Sequence, residues 1–140
     1  MKKLISIKDR IFIAGASGMV GSSIYRILKQ SGYGNKLEGG IIFKPTRKEL
    51  NLLEYNQVLD WFKINKPSVV IIAAGKVGGI KANSEYPADF ILENLKIQTN
   101  IIEISWRLKI KRLLFLGSSC IYPKYAMQPL REEYLLNNSL

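Results

Sequence analysis

Short apolar strands alternate with amphipathic helices along this 140-residue chain, which predicts an α/β fold: a doubly wound parallel sheet covered by helices on both faces. Three observations carry that expectation. The run Arg10-Ile11-Phe12-Ile13-Ala14 breaks into glycines at Gly15, Gly18 and Gly21 and continues directly in a helical pattern. The run Val69-Val70-Ile71-Ile72-Ala73-Ala74 is apolar at every position, as a strand buried on both faces must be. Further on, Phe90, Ile91, Ile97, Ile101, Ile104 and Leu108 recur at helical spacing and form one long apolar stripe.

The elements follow in order. The first strand is Arg10–Ala14, and its helix spans 18–31. Gly32, Gly34, Gly39 and Gly40 make a loose connection to a second strand at Ile41–Phe43. Val58, Leu59 and Phe62 give Tyr55–Asn65 a helical period, and Pro67 stops it. The third strand is 69–74, central or nearly so because both its faces are apolar. A long helix covers 87–109 and a fourth strand 112–117. Right-handed crossovers then predict the spatial order 3-2-1-4. No repeat, low-complexity segment or interdomain linker interrupts residues 1–140, which fit one domain.

Composition narrows the chemistry. There is no histidine, so neither imidazole acid–base catalysis nor histidine metal ligation is available, and one cysteine cannot build a structural zinc site. The same lone Cys120 forms no internal disulfide and fits a reducing, cytoplasmic setting. No apolar run approaches the ~20 residues that span a bilayer, and Asp9 and Arg10 interrupt any signal-peptide core after Lys2 and Lys3. The formal net charge of +10 invites a nucleic-acid reading. However, the cations are spread along the chain, and the densest group, between Arg107 and Arg112, falls where a helix C-terminus favours positive charge. A ligand carrying several phosphates or a solvated surface accounts for the charge; neither nucleic acid nor membrane is expected as a partner.

Chemistry is expected in three places. A strand turning sharply into a helix aims the helix's free N–H groups at the turn, where a pyrophosphate binds. Gly15 would make that turn, Gly18 would admit phosphate to the backbone, and Gly21 would let helix and strand pack closely, with Ala16, Ser17, Met19 and Val20 completing the segment. Beyond the second strand comes Lys44-Pro45-Thr46-Arg47-Lys48, with no acid before Glu49. An acid here holds the ribose 2′-OH of NAD, whereas an arginine suits the 2′-phosphate of NADP. Arg47 offers a fork and Lys48 a point charge, so NADP is favoured over NAD; the alternative is a pair of ordinary exposed cations. After the fourth strand, Gly117-Ser118-Ser119-Cys120 lies at the carboxyl edge, where ligands collect in open α/β sheets. The serines can hydrogen-bond a carbonyl or hydroxyl. Cys120 reads either as a proton-transfer group or as a small hydrophobe.

The glycine turn and the serine closing the fourth strand resemble those of the extended short-chain dehydrogenase/reductase family. Lys76-Val77-Gly78-Gly79-Ile80, Tyr86-Pro87-Ala88-Asp89-Phe90-Ile91, Leu114-Phe115-Leu116-Gly117-Ser118-Ser119-Cys120-Ile121-Tyr122-Pro123-Lys124 and Arg47-Lys48-Glu49-Leu50-Asn51-Leu52-Leu53 are similar to the branch of that family that produces GDP-L-fucose. The likeness covers the chain from Arg10 onward. It implies a Rossmann-type domain binding NADP(H). It also implies an enzyme that epimerises GDP-4-keto-6-deoxy-D-mannose at C3 and C5, then reduces C4 with NADPH, usually as a homodimer. Carried over by position, Arg47 would meet the 2′-phosphate, with Lys48, Glu49 and Leu50 beside it and Asn51 and Leu52 near the adenine. Ala73 and Ala74 would line the cofactor cleft, and Leu116, Gly117, Ser118 and Ser119 the nicotinamide side. Ser118 would hydrogen-bond the sugar's C4 oxygen, and Cys120 would serve as acid or base in epimerisation.

Two departures accompany the likeness. Ser17 stands where relatives often carry a second phosphate-binding arginine. The family's Tyr-x-x-x-Lys pair is expected within about a dozen residues after Leu140, and Tyr134, followed four residues later by Asn138, does not supply it. The chain is therefore expected to be an N-terminal, cofactor-binding portion without the substrate domain and inactive alone. The alternative is a binding module or a subunit completed by a second chain. Leu113 to Leu116 is expected to form an apolar sheet edge, and 124–140 to pack poorly.

Overall fold

The computed structural model describes residues 4–135. Four strands, β1 (Arg10–Ala14), β2 (Ile41–Phe43), β3 (Val69–Ile72) and β4 (Arg112–Phe115), form one sheet in the order β2-β1-β3-β4. All three pairings are parallel, with Ile11 opposite Ile42 and Val69, and Ile71 opposite Leu114. The helices are α1 (Met19–Gln30), α2 (Tyr55–Asn65), α3 (Ile80–Glu85) and α4 (Pro87–Arg107). The short α3 and single 3₁₀ turns at Lys36–Glu38, Ser119–Ile121 and Glu132–Tyr134 were not anticipated.

Period-two alternation divides the sheet between two cores. Phe12, Ala14, Val70 and Ile72 face α2 and α4, meeting Val58, Phe62, Ile101 and Ile104. Ile11, Ile13, Val69 and Ile71 face the opposite way, against Ile24, Tyr25 and Leu28 of α1. Helices on both faces make the sheet doubly wound, as expected. Pro87 opens α4 with Asp89 in its first turn, where a missing N–H costs nothing and a negative charge complements the helix dipole.

The expected order 3-2-1-4 is corrected. The third strand lies between β1 and β4, not outside β2. All four β3 residues are buried, while all three of β2 are only partly buried. A strand apolar on both faces needs a neighbour on each side. The three-residue β2 can tolerate an edge. The chain between them, 44–54, forms turns and delivers the buried Leu50 to the α2–α4 core instead of adding an outer strand.

At the amino ends of the strands, Asp9 is 8% exposed and gathers three partners. It accepts hydrogen bonds from the Ser6 N–H at 2.6 Å and the Ser68 hydroxyl at 2.8 Å, and pairs with Lys111 Nζ at 3.1 Å. The approaches to β1, β3 and β4 are thus tied at one carboxylate. Segment 124–135 is mostly exposed, Tyr125 and Met127 strongly so. Asn138 and the rest of 136–140 lie outside the described residues.

Candidate functional site

From β1 the chain crosses to β2 on one side, and from β2 it returns past β1 to β3 on the other. The carboxyl ends of β1 and β3 therefore diverge into loops that leave in opposite directions, and a crevice opens there. A cavity of about 570 Å³ occupies it. One wall is the glycine turn. Gly15 sits at φ +77°, a left-handed conformation that strains any other residue, and a Cβ there would lie 2.6 Å from the Ala73 carbonyl oxygen. A Cβ at Gly21 would collide with the Gly15 carbonyl, so this glycine lets α1 press onto the turn. Gly18 caps α1, which has no side-chain cap and no acid in its first turn, leaving the opening N–H groups and positive dipole end available to an anion.

Of the expected residues, Gly15, Ser17, Gly18, Met19 and Val20 line the cavity on the α1 side, Arg47, Leu50, Asn51 and Leu52 after β2, and Ala73 and Ala74 after β3. Ala16, Lys48 and Glu49 do not line it, and Gly21 supports it from behind. Glu49 instead accepts the Thr46 N–H at 2.6 Å and closes the turn that presents Arg47; that bond and the Thr46 hydroxyl hold its carboxyl below the usual range.

Leu116, Gly117, Ser118, Ser119 and Cys120 also stand outside the cavity lining. They follow β4 at the same carboxyl edge, where the Leu116 N–H donates to the Ile72 carbonyl at 3.1 Å. The Ser118 hydroxyl accepts the Cys120 N–H at 3.2 Å and caps the following 3₁₀ turn, and Cys120 is exposed.

Sequence reading overlooked several wall residues, notably Lys76 and Glu93. Lys76 Nζ lies 2.6 Å from Glu93 Oε1, and Arg47 Nη2 lies 3.8 Å from Glu93 Oε2. The Lys76 hydrogen bond, opposed by partial desolvation and reinforced by the charges of Lys76 and Arg47, holds the Glu93 carboxyl below its ordinary range. Beside it, Asn94 accepts the Lys76 N–H at 2.7 Å and donates to the Lys76 carbonyl at 2.9 Å. A signal was present: Asn94 interrupts the apolar spacing Phe90, Ile97, Ile101, Ile104 with an amide.

Among the described residues no helix is long and apolar enough to cross a membrane, and no group of three or more His, Cys, Asp or Glu could hold a metal ion. The sequence profile of the NAD dependent epimerase/dehydratase family matches residues 11–140. The chain belongs to that family.

Among curated relatives, GDP-L-fucose synthase 1 of Arabidopsis thaliana is 51% identical over 131 residues, covering 94% of this chain and 39% of the relative. GDP-L-fucose synthase of Escherichia coli K12 is 50% identical over 133 residues, covering 95% and 40%. The solved structure of MlghC, a GDP-mannoheptose C4 reductase from Campylobacter jejuni with NADP bound, superposes with a TM-score of 0.85 at 38% identity, covering 97% of this chain and 41% of that one. The chain thus spans about 40% of the length of these relatives.

Proposed function

We propose that this chain is the NADP-binding portion of a GDP-L-fucose synthase, acting on GDP-4-keto-6-deoxy-D-mannose. The observation that carries the reading is the cavity at the β1/β3 divergence. The uncapped end of α1 and the glycine turn form one wall and Arg47 and Asn51 another, in a sequence half identical to two GDP-L-fucose synthases. A dinucleotide fits these residues: N–H donors for the pyrophosphate, an arginine fork for a 2′-phosphate, and Leu50 and Leu52 as apolar surface for the adenine. When bound, NADPH supplies the hydride that reduces the C4 ketone.

The chain's own contribution is binding and orientation. Gly15 and Gly18 let the pyrophosphate approach the backbone, while Ala73 and Ala74 leave room beside β3. Ser118 accepts from Cys120, so its own proton remains free to reach the sugar's C4 oxygen. Cys120, exposed at the same edge, exchanges protons at the carbons acidified by that ketone.

Fluorescence titration with NADPH and NADH tests the reading. The chain should prefer NADPH, and Arg47→Ala should remove most of that preference, because a charge-assisted bond to phosphate contributes about 1.5–3 kcal/mol. An unchanged ratio would assign the phosphate to Lys48 or to no residue. A second reading, a binding module without chemistry of its own, draws on the position of Ser118 and Cys120 outside the cavity lining. Turnover of the keto sugar with NADPH once the chain is joined to a polypeptide carrying the Tyr-x-x-x-Lys pair and the substrate domain, and its loss in Ser118→Ala, would exclude it.

A further inference from the structure

Glu93 is the acid in the wall of a cavity otherwise suited to anions. Its carboxylate reaches two cations carried by different loops, Arg47 after β2 and Lys76 after β3. The two contacts are unequal. Lys76 is held at 2.6 Å, with its backbone pinned by Asn94 and its ammonium 5.4 Å from the centre of the Phe90 ring. Arg47 is held at 3.8 Å by a side chain that is 78% exposed. One partner is fixed and the other is loosely kept.

We propose that Glu93 is a resident counter-ion for Arg47 and thereby sets how strongly the site selects a 2′-phosphorylated dinucleotide over an unphosphorylated one. The proposal rests on the cofactor reading above. A phosphate arriving at Arg47 competes with a carboxylate already there, so part of its attraction replaces an existing interaction. Lys76 makes the exchange possible. When Arg47 turns to the phosphate, Glu93 keeps its shorter contact and is not left as an uncompensated charge in a partly desolvated wall. Because Arg47 is the group a 2′-phosphate would engage, a carboxylate held beside Arg47 bears on NADPH and leaves NADH nearly indifferent.

Titration of the 140-residue chain with NADPH and NADH, for wild type, Glu93→Gln, Arg47→Ala and the double variant, tests the proposal. Glu93→Gln should tighten NADPH about threefold to fivefold, the scale of an exposed ion pair, and change NADH by less than about twofold. In the Arg47→Ala background the gain should vanish. Glu93→Asp, one methylene shorter with its charge kept, should move selectivity the same way by less, and serves if the glutamine variant does not fold. Unchanged or weaker NADPH binding by both folded variants overturns the proposal. So does an equal gain for NADH, or a gain that survives loss of Arg47. If the folded wild type binds neither dinucleotide, the cofactor reading itself falls and this proposal with it.

Discussion

Strands β3 and β4 lie side by side over four residues, Val70 opposite Leu113 and Ile72 opposite Phe115. Their fates differ completely: every residue of β3 is buried and every residue of β4 is exposed. Composition does not explain the contrast, since β4 is also apolar after Arg112. Position does. β3 has a strand on each side and helix-borne side chains over both faces, whereas β4, among the described residues, has a strand on one side only. An apolar pattern states what a strand can bury; its neighbours decide what it does bury.

The sharpest way to break the comparison is to shorten paired side chains. Ile72→Ala should cost about 2–5 kcal/mol in urea unfolding, the range for opening a cavity in a packed core. Phe115→Ala, across the ladder, should cost no more than about 1 kcal/mol despite removing a larger side chain. Equal costs would mean that β4 is covered in solution.

An intermediate effect belongs to the amino ends of the same strands. Burial disfavours ionised Asp9, but the Ser6 N–H, the Ser68 hydroxyl and Lys111 together outweigh it and hold the carboxyl below its ordinary value. A depressed folded pKa contributes stability that is fully present above the unfolded value, about 3.9, and is lost as pH falls through the folded one. Asp9→Asn should therefore cost about 1–3 kcal/mol at neutral pH, and the gap from wild type should close below about pH 4. A gap independent of pH would show that the site needs only the shape of the side chain.

The smallest effect on stability, though not on behaviour, is expected at the exposed edge. An apolar strand with unpaired backbone groups templates association. Leu114 is 51% exposed, and Leu114→Lys should alter stability by no more than about 0.5 kcal/mol. Sedimentation should show wild type self-associating and the lysine variant doing so less. A monodisperse wild type would remove β4 as an adhesive edge.

Much of this was legible in the sequence because the signals were local. The glycine turn, the 3.6-residue period of α2 and α4, and the parallel strands each follow from a few adjacent residues. Strand order was not, because it depends on which strand crosses which; yet the all-apolar run at Val69 to Ile72 already argued against an edge position. The cavity wall divided similarly. Arg47 and Asn51 were readable from their place after β2. Glu93 was not, since its meaning comes from Lys76 and Arg47, 17 and 46 residues earlier in a chain that had to fold before they met.

Asn94 treats Lys76 as an adjacent strand would, taking its N–H and giving to its carbonyl, although the segment from Ala73 to Gly79 has no regular structure. Loop amides usually trade their hydrogens with solvent quickly, because little inside the protein holds them. Here one is clasped by a side chain rooted in a 21-residue helix that also gives Glu93 and Ile97 to the cavity wall. In heavy water the Lys76 amide should exchange at the slow pace of α4 and not at that of its flanking residues. This stretch of the wall then loosens only when the helix itself opens.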